Sequence, residues 1–280
     1  MKLCVKERLP LLEYLYKYLD MPKKKIKSYL VHGCILVDNH ITTKYDYDLN
    51  IGTEIIIDTS TKSKNNLIFD IVYEDDYIII VNKPGGLLTI ATAKEKEKTL
   101  YHYVSSYLKE KNKNNKVFIV HRLDKETSGI VLFAKDEKTK NLFQKDWNNL
   151  VSIRGYYALV HGTLAKKKNR LVNRLLETKT NLVYITNKND GKEAITNYEV
   201  VKENKTYSLL KINIETGRKN QIRVQFASIG NPIVGDSKYG IKDNEKNLCL
   251  VANRLEIYNP ILKKKMNFEI DIKNRFKKYI

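Results

Sequence analysis

An α+β fold is predicted, with a larger domain on a mixed, largely antiparallel sheet preceded by a small α/β module. Three observations carry this. Strand-like runs outnumber helical ones and follow one another without strict strand–helix alternation, which argues against a doubly wound parallel sheet. The stretch TSTKSKNN at 59–66 is small and polar and reads as a linker. Charge divides near the same place. Residues 1–58 hold 9 basic and 8 acidic side chains, whereas the 280-residue chain carries 51 Lys and Arg against 32 Asp and Glu. The expected boundaries are therefore 1–58, a linker at 59–66, and 67–280.

The elements follow in order. Leu9, Leu12, Leu15, Tyr16 and Leu19 recur at helical spacing. Pro22 suits the first turn of a second helix through KKKIKSYLVH, which Gly33 can end. CILVDNHIT reads as strand, Asp-Asn turn and strand, and GTEIIID supplies another. Beyond the linker, LIFDIVYEDDYIIIVNKPGG gives two strands around an acidic turn. KVFIV, IVLFAK, YYALVHG, EAITNYEVV and YSLLKINI are further strand-like runs, and helices are expected over 98–109, 137–149 and 218–229.

The formal net charge of +19 points to a polyanionic partner, recruited by steering and counterion release. Nearly all of the surplus lies beyond residue 58, so most of that contact is expected in the larger domain. No apolar run approaches the ~20 residues that span a bilayer, and MKLCVKERLP lacks the features of a secretory signal. Cys4, Cys34 and Cys249 are scattered and form no CxxC pair, so neither a zinc site nor a disulfide framework is expected. A cytoplasmic location fits.

The run HRLDKETSG at 121–129 is the most informative. It sets one acid, Asp124, between an arginine and a small-residue turn within a strongly basic chain. The flanking strand-like runs are expected to hold this loop at the edge of a sheet. An idle carboxylate there would repel a polyanion, so a working one is the sharper reading. The plainer reading is a turn former paired with Arg122.

The run resembles the signature of the RluA family of RNA pseudouridine synthases, with His121, Arg122, Leu123, Asp124, Thr127, Ser128 and Gly129 at the matching positions. Four more segments resemble that family in order: NKPGGLLTI at 82–90, RGYYALVHG at 154–162, ETGRKNQIRVQFASIGNPIVGDSKYG at 215–240 and NLCLVANRLEIYNP at 247–260. Asn220 departs from the family's usual histidine, and Arg154 stands where lysine is commoner. The first 58 residues resemble the S-four-like RNA-binding module, without its usual Ser-Arg opening.

The resemblance implies isomerisation of specific uridines in structured RNA, with no cofactor or metal. Large-subunit (23S) ribosomal RNA is the expected target, with transfer RNA as the alternative. Asp124 is the implied catalytic carboxylate, Arg223 the arginine pairing with it, and Tyr156 the active-site tyrosine. Tyr157 stands next to Tyr156, and strand alternation sends the two rings to opposite faces. Arg122 is expected to hold a flipped nucleotide, and His121 to position the substrate or to pack rather than to act as an acid or base. Lys23, Lys24, Lys25 and Lys27 would meet RNA from the N-terminal module. A monomer is favoured, and neither a membrane nor DNA is an expected partner. Two rivals remain at this point: a non-catalytic RNA-binding or ribosome-assembly factor on the same fold, and a basic structural protein whose charge reflects base composition.

Overall fold

The computed structural model describes residues 1–31, 33–38, 40–58, 67–93, 95–272 and 274–280. The expected linker at 59–66 lies outside the described residues. The chain divides into two compact units, Met1–Ile68 and Phe69–Ile280.

In the first unit, helices α1 (Leu11–Tyr18) and α2 (Lys23–Val31) accompany a four-stranded sheet. Its strands are β1 (Lys2–Cys4), β2 (Ile35–Val37), β3 (His40–Ile41) and β4 (Glu54–Ile57), in the order β1-β4-β2-β3. Leu11, Tyr14, Leu15, Ile26, Leu30, Ile35 and Ile55 belong to its core; of the residues at the expected helical spacing, Leu15 and Leu19 are buried, whereas Leu9, Leu12 and Tyr16 are only partly buried against it. Gly33 N–H bonds Leu30 O and Cys34 N–H bonds Tyr29 O, satisfying carbonyls at the end of α2. Strand β1 is an addition to the expected elements; it is short and reads KLC, with no alternation to mark it.

The second unit is built on one large sheet. Its strands are β5 (Asp70–Glu74), β6 (Ile78–Lys83), β7 (Phe118–Ile119), β8 (Ser128–Ala134), β9 (Val151–His161), β10 (Lys168–Glu177), β11 (Val183–Thr186), β12 (Lys192–Glu203), β13 (Tyr207–Ile214), β14 (Leu250–Asn259) and β15 (Lys264–Glu269). Nine run in the order β11-β10-β12-β13-β9-β14-β8-β6-β5, while β15 pairs with β14 and β7 with β8. Among the pairings of these described strands only β14–β8 is parallel, so the mixed, largely antiparallel sheet is as expected. Helices are α3 (Leu100–Lys111), α4 (Glu137–Lys145), α5 (Trp147–Leu150) and α6 (Gln221–Ser228).

Three expectations need correction. The signature loop does not lie at a sheet edge: β8 sits between β14 and β6, and all seven of its residues are buried. An apolar run without alternation marks a strand covered on both faces. The helix expected over 137–149 is broken at Asp146, whose ψ of 32° leaves helical geometry. The helix expected from 218 begins at Gln221, because Asn220 has φ 52°.

The β14–β8 approach sets the site's floor. A Cβ at Gly129 (φ +118°) would lie 2.1 Å from Ala252 O, so this signature glycine lets the two backbones meet. Beyond that contact the strands part. One edge of β8 runs along β6, while the other pairs with β14 at Ser128 and Gly129 and with β7 at Phe133 and Ala134. In the gap, His121 Nε2 accepts the Leu132 N–H at 3.0 Å.

Candidate active site

Asp124 lies on the loop from β7 to β8, and that loop is tied down at both ends and in the middle. His121 holds the entry through Leu132. Thr89 Oγ1 donates to Leu123 O at 2.7 Å and accepts from Leu123 N–H at 3.2 Å. The fully buried Lys83 ammonium donates to the carbonyls of Pro84, Leu87 and Lys125 at 3.0, 2.7 and 3.0 Å. Burial pushes the Lys83 pKa down to about 8, against the charges of Glu126 and Asp124. A buried ammonium costs least when its protons are all used, and here each has a carbonyl. The NKPGG turn therefore grips the backbone one residue after Asp124.

The half-buried Asp124 carboxylate has one hydrogen bond among the described residues: Asn220 N–H donates to Oδ2 at 3.2 Å. Burial raises its pKa, and the nearby charges of Arg223, Arg122 and Lys219 with that N–H only partly offset it. Asn220 caps α6 in the left-handed region, a conformation that asparagine and histidine both tolerate better than most residues. The departure from the family's histidine thus keeps the backbone geometry. Its side chain donates to Tyr239 Oη at 3.0 Å and accepts from Arg223 Nη1 at 3.3 Å.

Arg223 differs from the expectation. Its ion pair is with Asp236, bidentate at 2.8 and 2.6 Å, rather than with Asp124. Lys238 N–H and Tyr239 N–H also donate to Asp236, so the turn presents a fixed carboxylate matching the guanidinium fork. Tyr239 covers Arg223 from 5.3 Å. Arg223 therefore acts on Asp124 through space.

Tyr156 faces the cleft from β9. It is partly buried against the cluster that includes Leu123, Val131 and Ala252, and Ala252 opposes it across the ladder. Burial pushes the phenol pKa up to about 12, with Asp124 adding to the rise and Arg154 opposing it. Tyr157 lines a different groove, as alternation requires. A narrow cleft of about 80 Å³ is lined by Asp124, Tyr156, Arg122, Arg218, Asn220 and Arg223. A wider groove of about 540 Å³ shares Asp124, Arg122 and Arg223 and adds Lys125, Lys219 and Lys238. Asp124 thus stands where a confined slot meets an open basic groove.

His121 does not line either space. Its Nε2 serves Leu132, its ring lies 4.9 Å from Trp147, and burial pushes its pKa down to about 4, which keeps the acceptor nitrogen free. Its expected place beside the substrate gives way to one inside the sheet. Lys23, Lys24, Lys25 and Lys27 are exposed on α2 of the N-terminal unit, with Lys23 over the Tyr16 ring and Lys25 over the Tyr29 ring. Sequence reasoning singled out none of Thr89, Lys219 and Asp236. Lys219 ties Glu177 and Asn181 of the β10–β11 hairpin to the cleft, and only the paired hairpin brings those partners within reach.

A half-buried carboxylate and a half-buried phenol lining one cleft, under a rim of arginines and lysines, suit an enzyme site for a polyanion. The family model described as RNA pseudouridylate synthase matches residues 77–228. An uncharacterized RNA pseudouridine synthase of Aquifex aeolicus is 31% identical over 280 residues, covering 93% of this chain and 89% of that protein. The ribosomal large subunit pseudouridine synthase D of Neisseria meningitidis is 30% identical, covering 91% and 73%. Among solved structures, human RNA pseudouridylate synthase domain containing 4 shares the fold at a TM-score of 0.62 and 20% identity, covering 74% of this chain and 90% of that one. The chain belongs to the RNA pseudouridine synthase family. It is an isomerase that acts on RNA, and no helix among the described residues is long and apolar enough to cross a membrane.

Proposed function

We propose that this enzyme isomerises specific uridines of large-subunit (23S) ribosomal RNA in the cytoplasm, by an Asp124-dependent mechanism that needs no cofactor. The observation that carries the mechanism is that Asp124, Tyr156 and Arg223 line one cleft whose rim is basic. Relatives named as large-subunit synthases, from Neisseria meningitidis at 30% identity and Rickettsia prowazekii at 32%, support the choice of target.

The reaction breaks the bond from ribose C1′ to uracil N1, turns the base, and joins C1′ to C5. The C5 proton leaves and N1 gains one, so nothing is oxidised or reduced. A base stacked in a helix cannot turn, so the nucleotide must first leave the stack. Exposed Arg122 at the mouth of the cleft is suited to holding the flipped state. Asp124 supplies an electron pair, to the sugar carbon or to a sugar proton, and both routes require the ionised carboxylate. Arg223, Arg122 and Lys219 favour that form, while the confined site leaves it sparsely hydrogen-bonded and reactive. Tyr156, with its pKa near 12, is a neutral phenol at physiological pH, which favours a stacking role over proton removal.

Asp124→Asn tests this reading. The variant is expected to bind unmodified ribosomal RNA within about twofold of wild type, a factor of small free-energy weight, and to make no pseudouridine. Turnover by the variant, mapped at nucleotide resolution, would sink the mechanism. Modification of transfer RNA alone by the wild type would overturn the target.

Residues 1–58 are proposed to act as an S-four-like RNA-binding domain, joined through 59–66 to a catalytic domain of residues 67–280. The support is the order of two helices and short strands, with Lys23, Lys24, Lys25 and Lys27 exposed along one helix. Replacing all four by Gln is expected to weaken RNA binding and flatten the dependence of log K on log salt, by about 0.9 for each phosphate no longer neutralised. An unchanged salt slope would assign these lysines to solvent.

A further inference from the structure

Tyr239 has contacts on two sides that no step of the reaction uses. On one side is hairpin β10–β11. β11 is the edge strand of the large sheet, so an N–H on its outer side has no strand to pair with. The Val183 N–H donates instead to Tyr239 Oη at 3.0 Å. Tyr239 is packed against the small cluster under the hairpin that includes Leu175, Val183, Ala194 and Val224. On the cleft side, the same phenol oxygen accepts the Asn220 side-chain amide at 3.0 Å.

The chemistry of the partners fixes their roles. Arg223 can only donate, so the Asn220 carbonyl faces it at 3.3 Å and the NH2 must face Tyr239. The Val183 N–H is likewise a donor alone. Two donors thus converge on one phenol oxygen, and Asn220 is only 6% exposed, so its amide has no ready replacement in water. Asn220 also stands in the left-handed region at φ 52°, a conformation that needs its surroundings to hold it. In that conformation its backbone N–H reaches Asp124 Oδ2, the one hydrogen bond of that carboxylate among the described residues. A path of three hydrogen bonds therefore runs from the hairpin edge to the reactive acid: Val183 to Tyr239, Tyr239 to Asn220, and Asn220 to Asp124.

We propose that Tyr239 is a positioning residue for the reaction: its hydroxyl fixes the Asn220 side chain to hairpin β10–β11 and so keeps the Asn220 N–H on Asp124. This role rests on the reading of Asp124 as the catalytic carboxylate. The rival role is structural, a phenol that does no more than cover the sheet edge. The two differ in what Asp124 feels. The Asn220 N–H favours the ionised carboxylate, so loosening it should disfavour that form and leave the acid less well aimed. A cover on the edge strand has no such reach. Its loss would lower stability and leave the titration of Asp124 where it was.

The test compares the full-length wild type, Tyr239→Phe and Asn220→Gly on unmodified 23S ribosomal and transfer RNA. The first variant deletes one oxygen and keeps the ring against its cluster. The second deletes the amide, and glycine accepts the left-handed conformation. Each is expected to lower kcat about tenfold, the scale of one lost hydrogen bond, with KM within about twofold of wild type. Each should also move the acid limb of kcat/KM to higher pH. Because both cut one path, the double variant should lose little more than either single. Unchanged kcat and an unmoved acid limb in Tyr239→Phe overturn the proposal, whether or not the urea midpoint falls. So do single losses that multiply in the double variant. Asp124→Asn is run beside them. If it is inactive while Tyr239→Phe behaves as wild type, the tether alone is overturned; turnover by Asp124→Asn overturns both the tether and the catalytic reading.

Discussion

Asp236 and Asp124 both feel the guanidinium of Arg223, but the fold treats them in opposite ways. Asp236 is 2% exposed and accepts four hydrogen bonds, two from Arg223 at 2.8 and 2.6 Å and two from backbone N–H groups at 2.9 and 3.0 Å. Burial pushes its pKa up, but those bonds and the Arg223 charge more than offset it, and the net shift is downward. Asp124 is half-buried and near Arg223, but it has one backbone donor among the described residues, and its net shift is upward. Proximity to an arginine therefore does not by itself decide what a carboxylate becomes. A saturated acid is a structural anchor, whereas one left with unused lone pairs in a confined site keeps the capacity to react.

The largest expected effect breaks the anchored side. Asp236→Asn removes one partner of a buried ion pair and leaves Arg223 charged without its counter-ion, which typically costs about 3–5 kcal/mol. Urea unfolding should show this as a fall in midpoint. The same change at Asp124 should act in the other direction. Its raised pKa means that the ionised form is held at a cost at neutral pH, so Asp124→Asn should raise rather than lower the unfolding midpoint, while abolishing turnover. Two asparagine variants of equal stability would mean that the two acids are not differently held.

This contrast is only half legible in the sequence. Asp124, Tyr156 and Arg223 can be picked out because their neighbours match a known pattern at matching spacing. The partner of Arg223 cannot, because which of two acids it pairs with depends on how the turn at 236–239 presents its N–H groups. The fold class is readable from the succession of apolar runs, yet β10 escapes them: KNRLVNRLLE interleaves polar and charged residues along a strand with a wet face. His121 stands in the most recognisable run of the chain, but its task at Leu132 exists only because β14 and β7 leave part of β8 unpaired. The shift between Ala252 and Arg254 in the β14–β9 ladder is a property of register, and register needs both strands.

The smallest expected effect separates the two acids along the pH axis. Turnover needs ionised Asp124, and because its pKa is raised in the folded chain, the acid limb of kcat/KM should be displaced upward from the ordinary aspartate value. Stability should respond elsewhere. The lowered pKa of Asp236 gives a contribution that is present above the unfolded value near ~3.9 and is lost as pH falls through the depressed folded value. Asp124 has the opposite linkage: its contribution is fully present below its unfolded pKa and is lost as pH rises through the folded one, so acidification through its range does not unfold the protein. Between the two titrations there should be a window in which the enzyme is folded, binds RNA and is reversibly inactive. Near-ultraviolet circular dichroism recorded beside initial rates would detect it. If fold and activity were lost at one pH, the two carboxylates would be titrating as one unit and Asp124 would owe its ionisation to the Arg223–Asp236 pair.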